Sequence, residues 1–86
     1  MNDITIYTRE FCGFCTRAKA LLSKKGATFN EIDGTYDQEA RAAMMAHSGG
    51  RNTFPQIFIG SKHIGGCDEL YALDAKGGLD PLLGAK

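Results

Sequence analysis

Ile4-Thr5-Ile6-Tyr7-Thr8-Arg9-Glu10-Phe11-Cys12-Gly13-Phe14-Cys15, continued by Thr16-Arg17-Ala18-Lys19-Ala20-Leu21-Leu22-Ser23-Lys24-Lys25-Gly26, is the stretch that decides the fold. Its first four residues are a β-branched and aromatic run of the kind that forms a buried strand. From Cys12 onward the period changes. Small or apolar residues fall at Cys15, Ala18, Leu21 and Leu22, the spacing of one helical face. Lys24 and Lys25 suit the negative end of a helix macrodipole, and Gly26 can adopt the left-handed conformation that ends the helix. The spacing therefore predicts a strand, a turn bearing C-x-x-C, and a helix ending at Lys25.

Working outward, Thr28 to Ile32 reads as a second strand, and Thr35-Tyr36-Asp37-Gln38 as a T-x-x-Q capping box. The helix it opens runs through Ala40, Met44 and Met45 as packing residues, until Gly49-Gly50 stops it. Gln56-Ile57-Phe58-Ile59, Gly60-Ser61 and Lys62-His63-Ile64 read as a β-hairpin over a two-residue turn. Asp68 is the expected cap of a short helix carrying Leu70 and Leu73, closed by Gly77-Gly78. Asp80-Pro81 reads as another helix start, with Leu82 and Leu83 docking that last turn. The order is β-α-β-α-β-β-α. A right-handed parallel β-α-β unit followed by an antiparallel hairpin gives an α/β protein with a four-stranded mixed sheet and helices on both faces. This arrangement resembles the thioredoxin-like fold.

With 86 residues the chain suits a single domain, 1–86. Its 43% hydrophobic and 23% charged residues fit a packed globule rather than a disordered chain. Ten basic and ten acidic residues cancel, so the overall field favours neither nucleic acid nor an anionic membrane. Residues 9–25 nevertheless carry Arg9, Arg17, Lys19, Lys24 and Lys25 against Glu10 alone, which predicts a local cationic face. Met1-Asn2-Asp3 leads straight into the strand pattern without the features of a signal peptide. No apolar run approaches the roughly 20 residues that span a bilayer. Three cysteines suit a structural disulfide framework poorly, so a cytoplasmic location is expected.

A C-x-x-C between a first strand and a first helix reads as a redox pair. Cys12 stands where unpaired backbone N–H groups and the macrodipole favour an anion, and Arg9 is three residues away. Thiolate is the attacking species, which makes Cys12 the candidate nucleophile. Cys15, one turn on and facing inward, is the candidate resolving thiol. A zinc site is the competing reading. It would have to recruit Cys67, His47 and His63, which are scattered rather than grouped in a tight second pair. Both histidines read instead as surface or structural residues.

Three segments, Tyr7 to Cys15, Thr53-Phe54-Pro55-Gln56-Ile57-Phe58-Ile59 and Gly65-Gly66-Cys67-Asp68, resemble the signature segments of glutaredoxins. The tail from Tyr71 to Leu83 resembles the small bacterial glutaredoxin 3 class of that family, so the likeness covers essentially the whole chain. It implies a glutathione-dependent oxidoreductase that reduces protein disulfides and protein–glutathione mixed disulfides. Glutathione serves as reductant, with no tightly bound cofactor and no metal. A monomer acting on disulfide-bonded or glutathionylated proteins is expected, with ribonucleotide reductase among the implied substrates. The resemblance also places the glutathione site. Arg9 and Arg51 would meet carboxylates, Phe14 would form an apolar wall, and Thr53-Phe54-Pro55 would be a cis-proline loop. Gly66, Cys67 and Asp68 would receive the γ-glutamyl end. Read without the resemblance, Asp68 is a plain helix cap and Cys67 a small residue at a crowded turn.

Gly13 departs from the proline common in dithiol members. Glycine there also occurs in relatives that hold a [2Fe–2S] cluster between two subunits with glutathione thiols. The alternative reading is therefore a cluster-binding dimer with Cys12 as the ligand from each chain.

Overall fold

The computed structural model describes residues 3–84; the outermost residues of the expected domain, including Met1 and Asn2 of the leading stretch, lie outside them. In chain order the elements are β1 (Ile4–Thr8), α1 (Gly13–Lys24), β2 (Asn30–Asp33), α2 (Gln38–His47), β3 (Gln56–Ile59), β4 (Lys62–Gly65), α3 (Cys67–Ala75) and α4 (Leu79–Leu82). The strands lie in the order β2-β1-β3-β4. β1 runs parallel to β2 and antiparallel to β3, with Ile4 opposite Ile59 and Tyr7 opposite Gln56. β4 returns antiparallel beside β3, with Ile59 opposite Lys62 and a bulge between Ile57 and Phe58. This is the mixed sheet that the thioredoxin-like pattern predicts.

Alternation along the two central strands makes the layers, because successive side chains point to opposite faces. Ile4, Ile6, Ile57 and Ile59 pack with Ala18, Leu21 and Leu22 of α1, with Cys67 and Leu70 of α3, and with Leu79 of α4. Leu82 and Leu83 dock against this layer. On the other face, Tyr7 and Phe58 meet Ala40 and Met44 of α2, flanked by Ile32 and Phe54. Met44 is fully buried, whereas Met45 is half-exposed and contributes little to the core.

Four local expectations are corrected. β2 begins at Asn30 rather than Thr28, where its parallel register with Thr5 starts. The cap of α2 is Asp37, whose Oδ1 accepts from Ala40 N–H at 3.0 Å. Thr35 is unavailable for capping: its N–H and Oγ1 both engage Asp33 Oδ1, and its Oγ1 accepts from Glu10 N–H. Gly66 rather than Asp68 is the N-cap of α3, and Asp68 lies in the first turn. α4 begins at Leu79, so Pro81 sits within the first turn, where its missing N–H forfeits no helical bond.

The predicted cationic face is compensated in part. Lys19 pairs with Glu31 of β2 at 2.9 Å, and the Arg17 guanidinium lies 5.6 Å from the Tyr71 ring centroid. Lys25 bridges Asp74 at 2.7 Å and Asp80 at 3.0 Å, tying the end of α1 to α3 and α4. Among the described residues, no helix is long and apolar enough to cross a membrane.

Candidate active site

The loop between β1 and α1 is fastened before it reaches the cysteines. Glu10 N–H donates to Thr35 Oγ1 at 2.8 Å, and Glu10 Oε1 accepts from the Tyr36 hydroxyl at 2.6 Å. Phe11 follows with φ 55°, a left-handed conformation unusual for a bulky residue, and its ring is 95% exposed. Cys12 is then extended and is the N-cap of α1. Its Sγ accepts from Cys15 N–H at 3.1 Å, the position a serine or aspartate oxygen would fill in an ordinary cap. No acidic side chain stands in the first turn of α1 to oppose negative charge there. Cys15 is 2% exposed and Cys12 half-exposed; the pair is joined as a disulfide, with Cα atoms 5.2 Å apart. One thiol is thus presented to solvent and the other held in the interior, as the spacing predicted.

Beside the pair lies an open groove of about 160 Å³. Phe14, 55% exposed between the two cysteines, forms one wall. Arg51, Thr53, Phe54 and Pro55 come from the loop preceding β3, where the Phe54–Pro55 peptide is cis. Gly66, Cys67 and Asp68 come from the start of α3. The packing of these two segments is close: a Cβ on Gly66 would stand 3.2 Å from the carbonyl oxygen of Pro55. Eight of the nine residues expected around a glutathione therefore converge on one groove. Arg9 does not line it. Arg9 borders an adjoining pocket of about 400 Å³ with Arg41, Asn52, Thr53 and Phe54.

Phe54 fits because Gly34 lacks a side chain, since a Cβ there would meet the Phe54 ring at 3.1 Å. Arg41 covers the same ring at 5.4 Å, held by Gly34 and Thr35 carbonyls. Beneath the loop, the buried Gln56 amide donates from Nε2 to Thr53 Oγ1 at 3.0 Å. Its Oε1 lies 2.7 Å from His63 Nε2, which makes that ring nitrogen the donor. His63 is structural, as expected of it, but its link to the Thr53 loop has no local sequence signal.

Sequence reasoning missed Glu69. Its Oε1 accepts from Gly66 N–H at 2.6 Å and lies 3.6 Å from an Arg51 nitrogen, placing a carboxylate within the groove lining. The Gly66 hydrogen bond, and then the Arg51 charge, hold Glu69 below the usual glutamate range. Burial pushes the Cys67 thiol up, against the charge of Arg17, which suits a packing residue rather than a second reactive thiol.

These shifts give a pH dependence. Burial first, and the Arg51 charge second, depress His63 below 6.5, so folding favours its neutral ring. That contribution is complete above 6.5 and is lost as pH falls through 6.5 towards the folded value. The Glu69 contribution is present above 4.5 and is lost as pH falls below that. The melting temperature is therefore expected to fall as pH is lowered from 7 to 4. His63→Gln should flatten the upper part of the slope; a slope identical to wild type between pH 7 and 5 would remove His63 from the account.

Among the described residues, no three or more His, Cys, Asp or Glu side chains converge as a metal site. A cluster shared between two chains and glutathione would not require such a group.

The glutaredoxin family profile matches residues 4–64. Glutaredoxin 3 of Escherichia coli strain K12 is 59% identical over 83 residues, covering 96% of this chain and 99% of the relative. The solution structure of a glutaredoxin from Brucella melitensis superposes with TM-score 0.83 at 64% identity, covering 96% of this chain and 89% of that one. The crystal structure of a buckwheat glutaredoxin–glutathione complex superposes with TM-score 0.84 at 36% identity, covering 96% and 77%.

Proposed function

The chain belongs to the glutaredoxin family, and from that premise we propose that it is a glutathione-dependent thiol–disulfide oxidoreductase acting through Cys12 and Cys15. The observation that carries this reading is the placement of Cys12 Sγ at the N-cap of α1, accepting the Cys15 N–H, with Cys15 buried one turn on. Backbone N–H groups and the macrodipole stabilise the Cys12 thiolate. Burial keeps Cys15 protonated until a mixed disulfide forms beside it.

The Cys12 thiolate attacks the glutathionyl sulfur of a mixed disulfide. A bond forms between that sulfur and Cys12, and the substrate sulfur leaves as a thiolate that takes up a proton. The thiolate of a second glutathione then attacks the glutathionyl sulfur on Cys12. Oxidised glutathione is released and the Cys12 thiolate returns. For a protein disulfide, Cys12 forms the mixed disulfide and Cys15 attacks the Cys12 sulfur, expelling the substrate thiol. Two glutathione molecules then reduce the Cys12–Cys15 disulfide.

The groove supplies the binding half. The backbone at Phe54, leading into the cis peptide ahead of β3, suits strand-like pairing with the cysteinyl part of glutathione. Phe14 walls the sulfur, Asp68 suits the γ-glutamyl ammonium, and Arg51 suits a carboxylate. Arg9, in the neighbouring pocket that shares Thr53 and Phe54 with the groove, suits the tripeptide's other carboxylate. The buckwheat complex with glutathione supports the choice of ligand. A reducing compartment such as the cytoplasm fits this chemistry. Turnover of a small glutathione mixed disulfide, coupled to glutathione reductase, is the test: steady consumption of the reductant is expected, and none would refute the reading.

A further inference from the structure

The lining of the groove has an electrostatic imbalance. Glutathione carries two carboxylates and one ammonium, yet the lining offers a single cation, Arg51, and two carboxylates, Asp68 and Glu69. Asp68 has a counterpart in the ligand's ammonium; Glu69 has none. Glu69 Oε1 instead accepts from Gly66 N–H at 2.6 Å and stands 3.6 Å from the Arg51 guanidinium. It thus engages both the cap-residue N–H at the start of α3 and the one guanidinium in the groove lining, two groups suited to an incoming anion.

We propose that Glu69, held in place by the Gly66 N–H, is an affinity-setting residue that competes with a glutathione carboxylate for Arg51. The inference rests on the glutathione reading of this groove and adds to it. The Arg51 and Glu69 side chains are 43% and 49% exposed, so the pair is easily parted. An exposed ion pair of this kind is worth a fraction of a kcal/mol to about 1 kcal/mol, which corresponds to a two- to fivefold change in affinity. Competition of this size would speed the release of oxidised glutathione by a comparable factor. Glu69 also completes the first turn of α3 by accepting from the cap residue, so its removal has a structural effect that must be separated from its charge. Glutamine makes that separation, because its oxygen still accepts from Gly66 N–H while the charge is lost.

The test is titration of S-methylglutathione, which has both carboxylates and no exchangeable thiol, into reduced wild-type protein and Glu69→Gln, read by amide chemical shifts. Glu69→Gln is expected to bind about two- to fivefold more tightly at low salt, with the gap narrowing as salt screens the pair. The diethyl ester, which has no carboxylates, is expected to bind both proteins equally. Equal or weaker binding of S-methylglutathione by Glu69→Gln would overturn the inference. So would an equal gain for the ester, because a change in groove shape rather than charge would then be responsible. If wild type binds no S-methylglutathione and turns over no glutathione mixed disulfide, the glutathione reading itself fails, and the inference with it.

Discussion

Cys12→Ser is expected to lose turnover of glutathione mixed disulfides down to the uncatalysed rate, while Cys15→Ser keeps a substantial part of it. A serine hydroxyl at the same cap would accept the Cys15 N–H equally well, so α1 and the fold should survive. What disappears is the thiolate, and with it the atom that makes the first bond in both proposed routes. A loss of more than about 1,000-fold, over ~4 kcal/mol of barrier, is the scale expected for removing a covalent nucleophile. Cys15→Ser removes only internal resolution, and external glutathione can still attack the mixed disulfide on Cys12. The same variant should fail on protein disulfides that need the second thiol. A reductase-coupled assay with one substrate of each kind separates the two roles. Substantial activity in Cys12→Ser would mean that the nucleophile has been misassigned.

The second large effect is expected on stability, not chemistry. Leu22 is fully buried on the inner face of α1, packed in the layer that holds this helix against the isoleucines of β1 and β3. Leu22→Ala is expected to cost about 3 kcal/mol, from lost apolar burial and from the cavity left in a layer built of few elements. In a domain of this size that corresponds to a fall in melting temperature of roughly 12–24 °C. Turnover at low temperature should stay near wild type, because Leu22 does not itself line the groove. Thermal melts with activity measured at 15 °C check both halves. A melting temperature within a few degrees of wild type would show that α1 is anchored mainly elsewhere.

The divide between what was legible and what was not follows the range of the interactions. β1, α1 and the hairpin could be read because their signals are local. Ile4 and Ile6 alternate with Thr5 and Tyr7, the apolar face recurs along α1, and Gly60-Ser61 sits between the hairpin strands. Cys12 and Cys15 could be read because a helix start fixes both their spacing and their unequal exposure. The caps were less legible. Thr35 and Asp37 are both competent, and the choice was made by Asp33, two residues before Thr35, and by Glu10, which reaches Thr35 from 25 residues away. Asp80 looked like a cap and became a partner of Lys25, 55 residues away in sequence.

The groove residues were placed by family resemblance, since nothing local draws Arg51, Thr53 and Asp68 together. Arg9 fell into the neighbouring pocket, because the tether between Glu10 and Thr35 directs that loop and no sequence signal announces it. Glu69 had one available signal. It stands three residues after Gly66, the spacing of the acidic member of a capping box, but a glycine cap has no side chain to suggest the motif.

Everything proposed for the chemistry depends on Cys12 being an anion at neutral pH in the reduced protein. Thiolate absorbance followed against pH, with Cys12→Ser as the blank, measures this directly. The expected midpoint lies well below the value of about 8.5 for a free cysteine, with Cys15 un-ionised over the same range. A midpoint at or above that value would mean that the start of α1 gives its sulfur no electrostatic support.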